Sequence, residues 1–395
     1  MSPNNWKSRA AAPVWALVAA MVLALAGTAQ AQEEDEKIHV SGEVDVYVEH
    51  YSTNFDGNYN GNTRGESFWG GGFSSGTKDT YSYTETRIRE AELKFKKDTK
   101  LNDDWKITNE LEIEFKPINA GRKSNDYDVE EASAIFKHSS GLHIDIGILE
   151  DKKLYEGGLT NESASEDTKG FDENPSLRVG YKTGPFDVDV RYAGIVVEEP
   201  VEVDTDGDGE ADEEFDKQVN QNQIRLQVEY NQKDFAKGLF TYTSVTSENR
   251  EDGDFQSATA ELEGGALDAY EAGAVNNATV MGLGGVMYFG NIWPSLTYES
   301  YHFEEDDGGS EFDVSVITAG VTLAKLGPGN LLIEMEMATL APDEGDDVNF
   351  TQFSGEYHFS AGKSKFGPGF KSFSNDAKGD SLEGTVLYFG GEWKY

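Results

Sequence analysis

The sequence lacks cysteine entirely and is poor in basic residues. Without cysteine, none of its 395 residues can form a disulfide, so the chain must be held together in another way. Only 33 Lys and Arg stand against 73 Asp and Glu, which gives a net charge of −40. A chain this acidic repels phosphate backbones, and this excludes a nucleic-acid-binding protein. Beyond residue 31 no apolar run approaches the roughly 18 residues that a transmembrane helix needs, which also excludes a helical membrane protein.

The N-terminus has the pattern of a secretory signal peptide. Lys7 and Arg9 precede a mostly apolar run over residues 10–27, and Ala29-Gln30-Ala31 supplies small residues at cleavage spacing. The alternative is a retained transmembrane helix, because the run is nearly long enough to span a bilayer. The cleavage pattern favours the signal peptide. We therefore expect residues 1–31 to be removed, which leaves a mature chain with a net charge of −42.

The remaining residues, 32–395, alternate between apolar and polar side chains. Apolar content is only 37%, while aromatics reach 12% and glycines number 43. Alternating strands have this composition, because only every second residue needs to be apolar. The last stretch, 382–395, places Phe389 and Trp393 on one parity, and the stretch 38–51 likewise separates its valines from its acids. We predict that these two stretches pair and close a barrel, since closure removes both sheet edges.

Short polar turns such as Gly184-Pro185 and Gly290-Asn291 alternate along the chain with longer loops. The pattern predicts strands at 38–51, 81–97, 105–116, 129–137, 142–149, 176–183, 186–197, 220–230, 238–247, 278–289, 292–303, 312–324, 330–340, 349–359, 369–374 and 382–395. An even number of such segments predicts one all-β domain, a transmembrane antiparallel β-barrel of about 16 strands. Its periplasmic turns are expected to be short and its extracellular loops long. A soluble sandwich would not need this asymmetry.

Several segments resemble the Gram-negative outer-membrane porin superfamily, of the sixteen-stranded type. They run from Arg89 to Phe95, from Leu101 to Phe115, from Val129 to Phe136 and from Gly141 to Leu149, after which a long loop follows. The resemblance implies a water-filled channel in the cell outer membrane for passive diffusion of small hydrophilic solutes and ions.

The same resemblance implies how the channel is assembled and narrowed. It implies a homotrimer surrounded by outer-membrane lipid and lipopolysaccharide, with the third long loop, residues 150–174, folded into the lumen as a constriction. It also implies that the last strand, ending at Tyr395, is read by the outer-membrane assembly machinery.

If the apolar parity faces lipid, the early strands turn mostly acids inward. These acids are Glu43, Asp45, Glu49, Glu90, Glu92, Glu110, Glu112 and Glu114. The inward basic residues are fewer: Lys94, Lys96, Lys106, Lys116, Arg178, Arg191 and Arg225. The presumed constriction loop adds Glu150, Asp151, Glu156, Glu162, Glu166 and Asp167. Charges close to a narrow aqueous path set its selectivity, so we expect a cation-preferring channel.

Several alternatives stay open. The early segments also resemble phosphate-selective porins, which would make the channel anion-selective, although their rows of basic residues are largely missing here. A further alternative is a plugged barrel with a structural or adhesive role. A saline habitat would also explain the acidity, and the 150–174 loop would then be an ordinary solvated surface loop. A barrel enzyme such as an outer-membrane lipase or protease is another alternative. The six histidines of the chain are scattered and form no metal-ligand spacing, so we expect no enzyme.

One loop has the spacing of an oxygen-only calcium site. Asp204, Asp206 and Asp208 place carboxylates at alternate positions, and a glycine and the further acid Asp212 follow. The twelfth position of this loop is Phe215, so the bidentate acid of an EF-hand is missing. The alternative is an acidic loop without a metal. Beyond this calcium ion, we expect no cofactor.

The calcium hypothesis predicts a loss of binding when the alternating acids are neutralised. Replacing Asp206→Asn together with Asp208→Asn removes two anionic ligands and is expected to weaken calcium binding, as measured by titration calorimetry. Barrel stability should hardly change, because the loop lies at the surface. A purified unmutated protein that releases no heat with calcium would contradict the hypothesis.

Overall fold

The computed structural model describes residues 38–56, 80–115, 127–149, 175–203, 213–249, 277–304, 311–342, 347–377 and 380–394. Within these ranges the chain forms sixteen strands. They are β1 His39–Asp56, β2 Thr80–Lys100, β3 Trp105–Phe115, β4 Tyr127–His138, β5 Leu142–Ile148, β6 Pro175–Thr183, β7 Phe186–Val203, β8 Glu213–Gln232, β9 Ala236–Asn249, β10 Asn277–Met287, β11 Ile292–Glu304, β12 Glu311–Leu326, β13 Gly329–Pro342, β14 Val348–Ala361, β15 Ser364–Ala377 and β16 Asp380–Lys394. The described part of the chain contains no helix long and apolar enough to cross a bilayer.

The sixteen described strands form one closed antiparallel barrel. Each strand pairs with its neighbours in sequence, and β1 closes the sheet by pairing with β16. At this seam Val44 lies opposite Trp393 and Val48 lies opposite Phe389. Every described strand therefore has a partner on both sides, and no edge is left with unpaired backbone groups. The predicted barrel, its strand number and the pairing of its first and last strands are confirmed.

The two faces of the sheet have opposite character. On β7 the outward side chains of Val188 and Val190 are 40% and 48% exposed, whereas Asp189 and Arg191, which alternate with them, are 1% and 0% exposed. Successive residues of a strand point to opposite faces, so the alternation in the sequence becomes an apolar outside and a polar inside. This is the reverse of a soluble globular protein and is the pattern of a barrel wall in lipid.

The rim with the short turns is tightly built. The turn between β6 and β7 contains Gly184, with φ 56°, and the turn between β10 and β11 contains Gly290, with φ 63°. Both positions need a left-handed backbone, which glycine adopts at no steric cost. Trp293 adds a hydrogen bond from Nε1 to the Gly290 carbonyl at 2.9 Å. The predicted turn positions are thus explained by backbone conformation.

The opposite rim carries the remaining connections. Their central residues, 57–79, 116–126, 150–174, 204–212, 250–276, 305–310, 343–346 and 378–379, lie outside the described residues. The connection between β15 and β16 comprises only residues 378–379, so the connections at this rim are not uniformly long, whereas the sequence pattern predicts long loops there.

Two neighbouring strands are longer than the alternation predicted. β7 continues to Val203 and β8 begins at Glu213, whereas the expected strands were 186–197 and 220–230. Val203 lies opposite Glu213 in the register, so the hairpin remains paired up to its tip. Backbone hydrogen bonds do not require alternating side chains, and pairing therefore extends past the amphipathic part of each strand.

β15 also begins earlier than predicted, at Ser364 instead of residue 369. Gly367, Pro368 and Gly369 interrupt the alternation, and this is why side-chain periodicity predicts no strand before residue 369. The strand persists because β14 and β16 pair with it on both sides, with Phe366 opposite Phe359 and Pro368 opposite Phe389.

Inside the barrel, aromatic rings lie over glycines of the neighbouring strand. A Cβ atom added at Gly390 would overlap the ring of Tyr47, and one added at Gly369 would overlap the ring of Tyr388. Tyr47 is fully buried, and its ring meets that of Tyr388 edge-on at a centroid distance of 6.4 Å. The Tyr388 hydroxyl donates to Glu356 Oε2 at 3.0 Å. These contacts fasten the seam from the inside.

We therefore expect Gly390→Ala to destabilise the barrel. The added methyl group would push against the buried Tyr47 ring, and overpacking of this kind costs roughly 1–3 kcal/mol. The measurement is thermal unfolding in detergent followed by circular dichroism. The matched control is Gly238→Ala on β9, where the nearest atom to the new Cβ, the Gly284 carbonyl oxygen, is 3.4 Å away. Equal melting temperatures for both variants would contradict the packing role of Gly390.

Candidate functional site: the inner wall of the barrel

Three of the predicted site residues come together on adjacent strands. Arg178 on β6 lies opposite Arg191 on β7, which in turn lies opposite Arg225 on β8. All three share the inward parity, and the strand register brings them to one level of the wall. We call Arg178, Arg191 and Arg225 the arginine rung. Like charges this close repel one another, so each needs polar partners.

Those partners differ along the rung. Arg178 Nε donates to Asp145 Oδ2 on β5 at 2.6 Å, which pairs two buried or nearly buried charges. Arg225 Nε donates to Thr243 Oγ1 on β9 at 2.8 Å. The carboxylate of Asp145 also lies 3.4 Å from Nδ1 of His143. The rung is therefore neutralised at its β6 end by Asp145 of β5, and at its β8 end Arg225 donates to a neutral hydroxyl.

Arg191, in the middle of the rung, is fully buried. Its Nε donates to Ser176 Oγ at 2.8 Å, and its Nη2 donates to the Leu149 carbonyl oxygen at 2.9 Å. The Ser176 hydroxyl in turn donates to the Gly147 carbonyl oxygen at 3.3 Å. One guanidinium on β7 thus reaches past β6 to the end of β5.

The predicted inward acids of β3 are paired with lysines of β2. Glu110 and Glu112 are buried on the inner face, where Lys96 forms an ion pair with Glu110 and Lys94 forms one with Glu112. Lys94 Nζ also lies 3.6 Å from Glu131 Oε2 on β4. Lysine and glutamate lie directly opposite in the register, which is the favourable arrangement for cross-strand charges. The inward acidity of this region is therefore partly compensated.

Other predicted positions are placed only in part. Glu114 lies opposite Glu92 in the backbone register. The constriction residues Glu150, Asp151, Glu156, Glu162, Glu166 and Asp167 lie outside the described residues, as do the calcium residues Asp204, Asp206, Asp208 and Asp212. Among the described residues, no group of three or more His, Asp or Glu side chains is arranged to hold a metal ion. The roles of these loop residues stay predictions.

The later strands carry inward carboxylates beyond those predicted. They are buried on the inner face of β11, β13, β14 and β16, and we call them the acidic wall: Glu299, Glu334, Glu336, Glu356 and Glu392. Tyr301 donates to Glu299 Oε2 at 2.5 Å. The same parity rule that identified the acids of β2 and β3 would have found these residues, because they alternate with outward residues such as Met335. The inner wall is thus acidic on a second side as well.

Apolar and aromatic side chains also point inward between these charges. Tyr301 on β11, Val314 on β12 and Phe350 on β14 are only 1–2% exposed. Val314 lies opposite Tyr301 in the register, so these two residues share one level of the wall. The inner wall is consequently mixed in character and not lined by charge alone.

A closed sixteen-stranded antiparallel barrel with an apolar outside and a charged inside defines the porin-type fold. The solved structures agree. The outer membrane channel DcaP of Acinetobacter baumannii is 10% identical, with 92% of this chain and 99% of that chain covered and a TM-score of 0.59. The anion-selective porin from Comamonas acidovorans is 13% identical, with 91% of this chain and 100% of that chain covered and a TM-score of 0.56. The trimer form of OmpT, an outer membrane protein of Vibrio cholerae, is 10% identical, with 92% of this chain and 100% of that chain covered and a TM-score of 0.55.

At these identities the likeness shows the fold alone. No family model matches the chain, and no curated protein sequence matches it either. What the protein does must therefore be argued from its own inner wall.

The buried pair of Arg178 and Asp145 gives a direct test of the wall geometry. Replacing Arg178→Met leaves the carboxylate of Asp145, which is 2% exposed, with His143 as its remaining basic neighbour at 3.4 Å. Removing one partner of a buried ion pair costs roughly 3–5 kcal/mol when no other partner remains, so we expect a smaller but clear loss of thermal stability.

The companion double variant separates this effect from a simple loss of packing. Adding Asp145→Asn to Arg178→Met removes the buried carboxylate charge that has lost its guanidinium and is expected to restore part of the melting temperature. The two single changes and the double change are compared by thermal unfolding in detergent. Strictly additive losses would show that Arg178 and Asp145 do not interact.

Proposed function

We propose that the protein is an outer-membrane porin, a water-filled channel through which small hydrophilic solutes and ions diffuse passively. The observation that carries the proposal is the sidedness of a closed sixteen-stranded barrel, apolar outside and charged inside. Barrels of this strand number enclose a lumen too wide for the side chains of the wall to fill. The named structures with the same fold, a channel and a porin among them, support this reading. Diffusion needs no covalent chemistry, and we propose no catalytic role.

We propose further that the channel prefers cations. The acidic wall contributes five carboxylates, of which Glu392 is paired with Lys365 and Lys394, and Glu110 and Glu112 on β3 add two that Lys96 and Lys94 compensate. The loop 150–174 contributes more acids if it narrows the lumen. A negative potential in a narrow aqueous path concentrates cations, because charges there are poorly screened over less than a Debye length.

The proposed location is the outer membrane, with the apolar outer face against lipid and lipopolysaccharide. A signal peptide at residues 1–31 would direct export, and the C-terminal strand β16, which closes the seam, would be recognised by the assembly machinery. We propose a homotrimer as the working state. One of the structures with this fold is a trimer form, which supports the proposal.

Two observations favour other functions. The arginine rung is the feature that an anion-selective porin would use, although Arg178 is neutralised by Asp145. The near-complete burial of inward residues such as Tyr47, Tyr301 and Phe350 is the feature that a plugged structural or adhesive barrel would have. Both alternatives predict a different electrical behaviour from a cation-preferring channel.

The test is single-channel recording in planar bilayers. We expect conductance steps and, in a salt gradient, a zero-current potential of the sign that reports cation preference. The preference should weaken as ionic strength rises from about 0.1 M to about 1 M, because the Debye length falls from about 10 Å to about 3 Å. Replacing Glu150→Gln, Asp151→Asn and Glu156→Gln should move the zero-current potential toward zero.

The matched control removes three acids from a different loop. Asp204→Asn, Asp206→Asn and Asp208→Asn change the net charge equally in the segment between β7 and β8 and should leave the zero-current potential nearly unchanged. A preference for chloride in the unmutated protein would favour the anion-selective alternative. Folded protein that gives no conductance steps would favour the plugged barrel.

A further inference from the structure

We infer that Arg191 is a positioning residue that fixes both ends of the 150–174 segment to the inner wall. Leu149 is the last described residue before this segment, and Ser176 is the second residue after it. The guanidinium of Arg191 donates to both, at 2.9 Å to the Leu149 carbonyl oxygen and at 2.8 Å to the Ser176 hydroxyl. A single side chain therefore spans the point where the chain leaves the sheet and the point where it returns.

The chemistry of arginine suits this task. Its planar guanidinium presents several donors in a fixed fork, so two acceptors, one just after β5 and one on β6, can be held in one geometry. Lysine has the same charge but concentrates its donors at one flexible point. Arg191 is fully buried, and a buried charge is tolerated only where it is hydrogen-bonded. The hydrogen bonds to Leu149 and Ser176 thus also hold the Arg191 side chain in place.

The backbone conformation of β5 at Gly147 contributes to the same set of contacts. Gly147 has φ 132°, and a Cβ atom there would overlap the Ala132 carbonyl oxygen of β4. The glycine lets β5 press against β4 while its own carbonyl accepts the Ser176 hydroxyl at 3.3 Å. Gly147, Ser176, Leu149 and Arg191 therefore form one connected set, which we call the stem clamp.

Arg225, the neighbouring arginine of the rung, provides a matched control, because a general structural role of a buried arginine would affect both variants alike. Arg225 lies on the same rung, is also almost fully buried at 1% exposure, and donates to Thr243 on β9, on the side away from the stems. Arg191→Lys and Arg225→Lys both keep one positive charge at the rung. Any difference between them reports the stem contacts and not the charge of the lumen.

The experiment is limited trypsin digestion of the folded full-length protein in detergent, with cleavage sites mapped by mass spectrometry. Lys152 and Lys153 come three and four residues after Leu149 in the sequence and supply trypsin cleavage sites close to it. We expect Arg191→Lys to raise the cleavage rate after these lysines about tenfold, the factor carried by one hydrogen bond from a charged donor. Arg225→Lys should stay within about twofold of the unmutated protein.

Each outcome decides the matter. Equal cleavage rates in Arg191→Lys and Arg225→Lys would overturn the inference, whether both rise or neither does. If Arg191→Lys fails to fold, Ser176→Ala replaces it, because this change removes one stem contact and leaves the charge in place. A smaller rise in cleavage after Lys152 and Lys153 is then expected, and an unchanged rate would overturn the inference.

A second readout connects the stem clamp with the proposed channel. The two arginine-to-lysine variants carry the same charge, so a different zero-current potential in Arg191→Lys alone would report a changed position of the acids between the stems. This readout rests on the proposed function, whereas trypsin digestion does not. Protein that forms no channel would refute the proposed function and leave the digestion result to decide on the clamp.

Discussion

The structure depends on one constraint, that no strand may be left with an open edge. In hydrocarbon, an unpaired backbone N–H or carbonyl group cannot hydrogen-bond to water, and each such group raises the free energy by several kcal/mol. Closing β1 on β16 removes the only two edges that a meander of hairpins leaves. The other pairings among the described strands are local in sequence, because each of them joins two consecutive strands.

Closure also decides which side chains meet inside. Once the barrel is closed, the inward parity of every strand faces the same enclosed space, and charged residues there must find partners on neighbouring strands. Lys94 with Glu112 and Arg178 with Asp145 are such pairs, each joining adjacent strands. Opposite charges at one level also oppose a slip of the register, since a shift by one residue would carry them to the outer face.

Alternation in the sequence was sufficient to predict the strands, their number and the seam, because a period of two is strong wherever one face meets lipid. It was weaker where pairing alone sustains a strand, as at Gly367 and Pro368 of β15. For the site, parity correctly assigned Glu110 and Arg191 to the inside. It did not reveal that three arginines share one level, because that depends on the register between strands, which hairpin geometry sets and side-chain alternation does not.

The glycines beneath the inner aromatic rings have a consequence for the bore of the barrel. A tyrosine that projected straight inward would take up the free cross-section, but Tyr47 and Tyr388 rest over Gly390 and Gly369, in the space that a neighbouring side chain would otherwise fill. The two rings therefore lie within the thickness of the wall and do not take up the cross-section of the barrel interior. The free width inside the barrel is thus determined in part by residues that have no side chain.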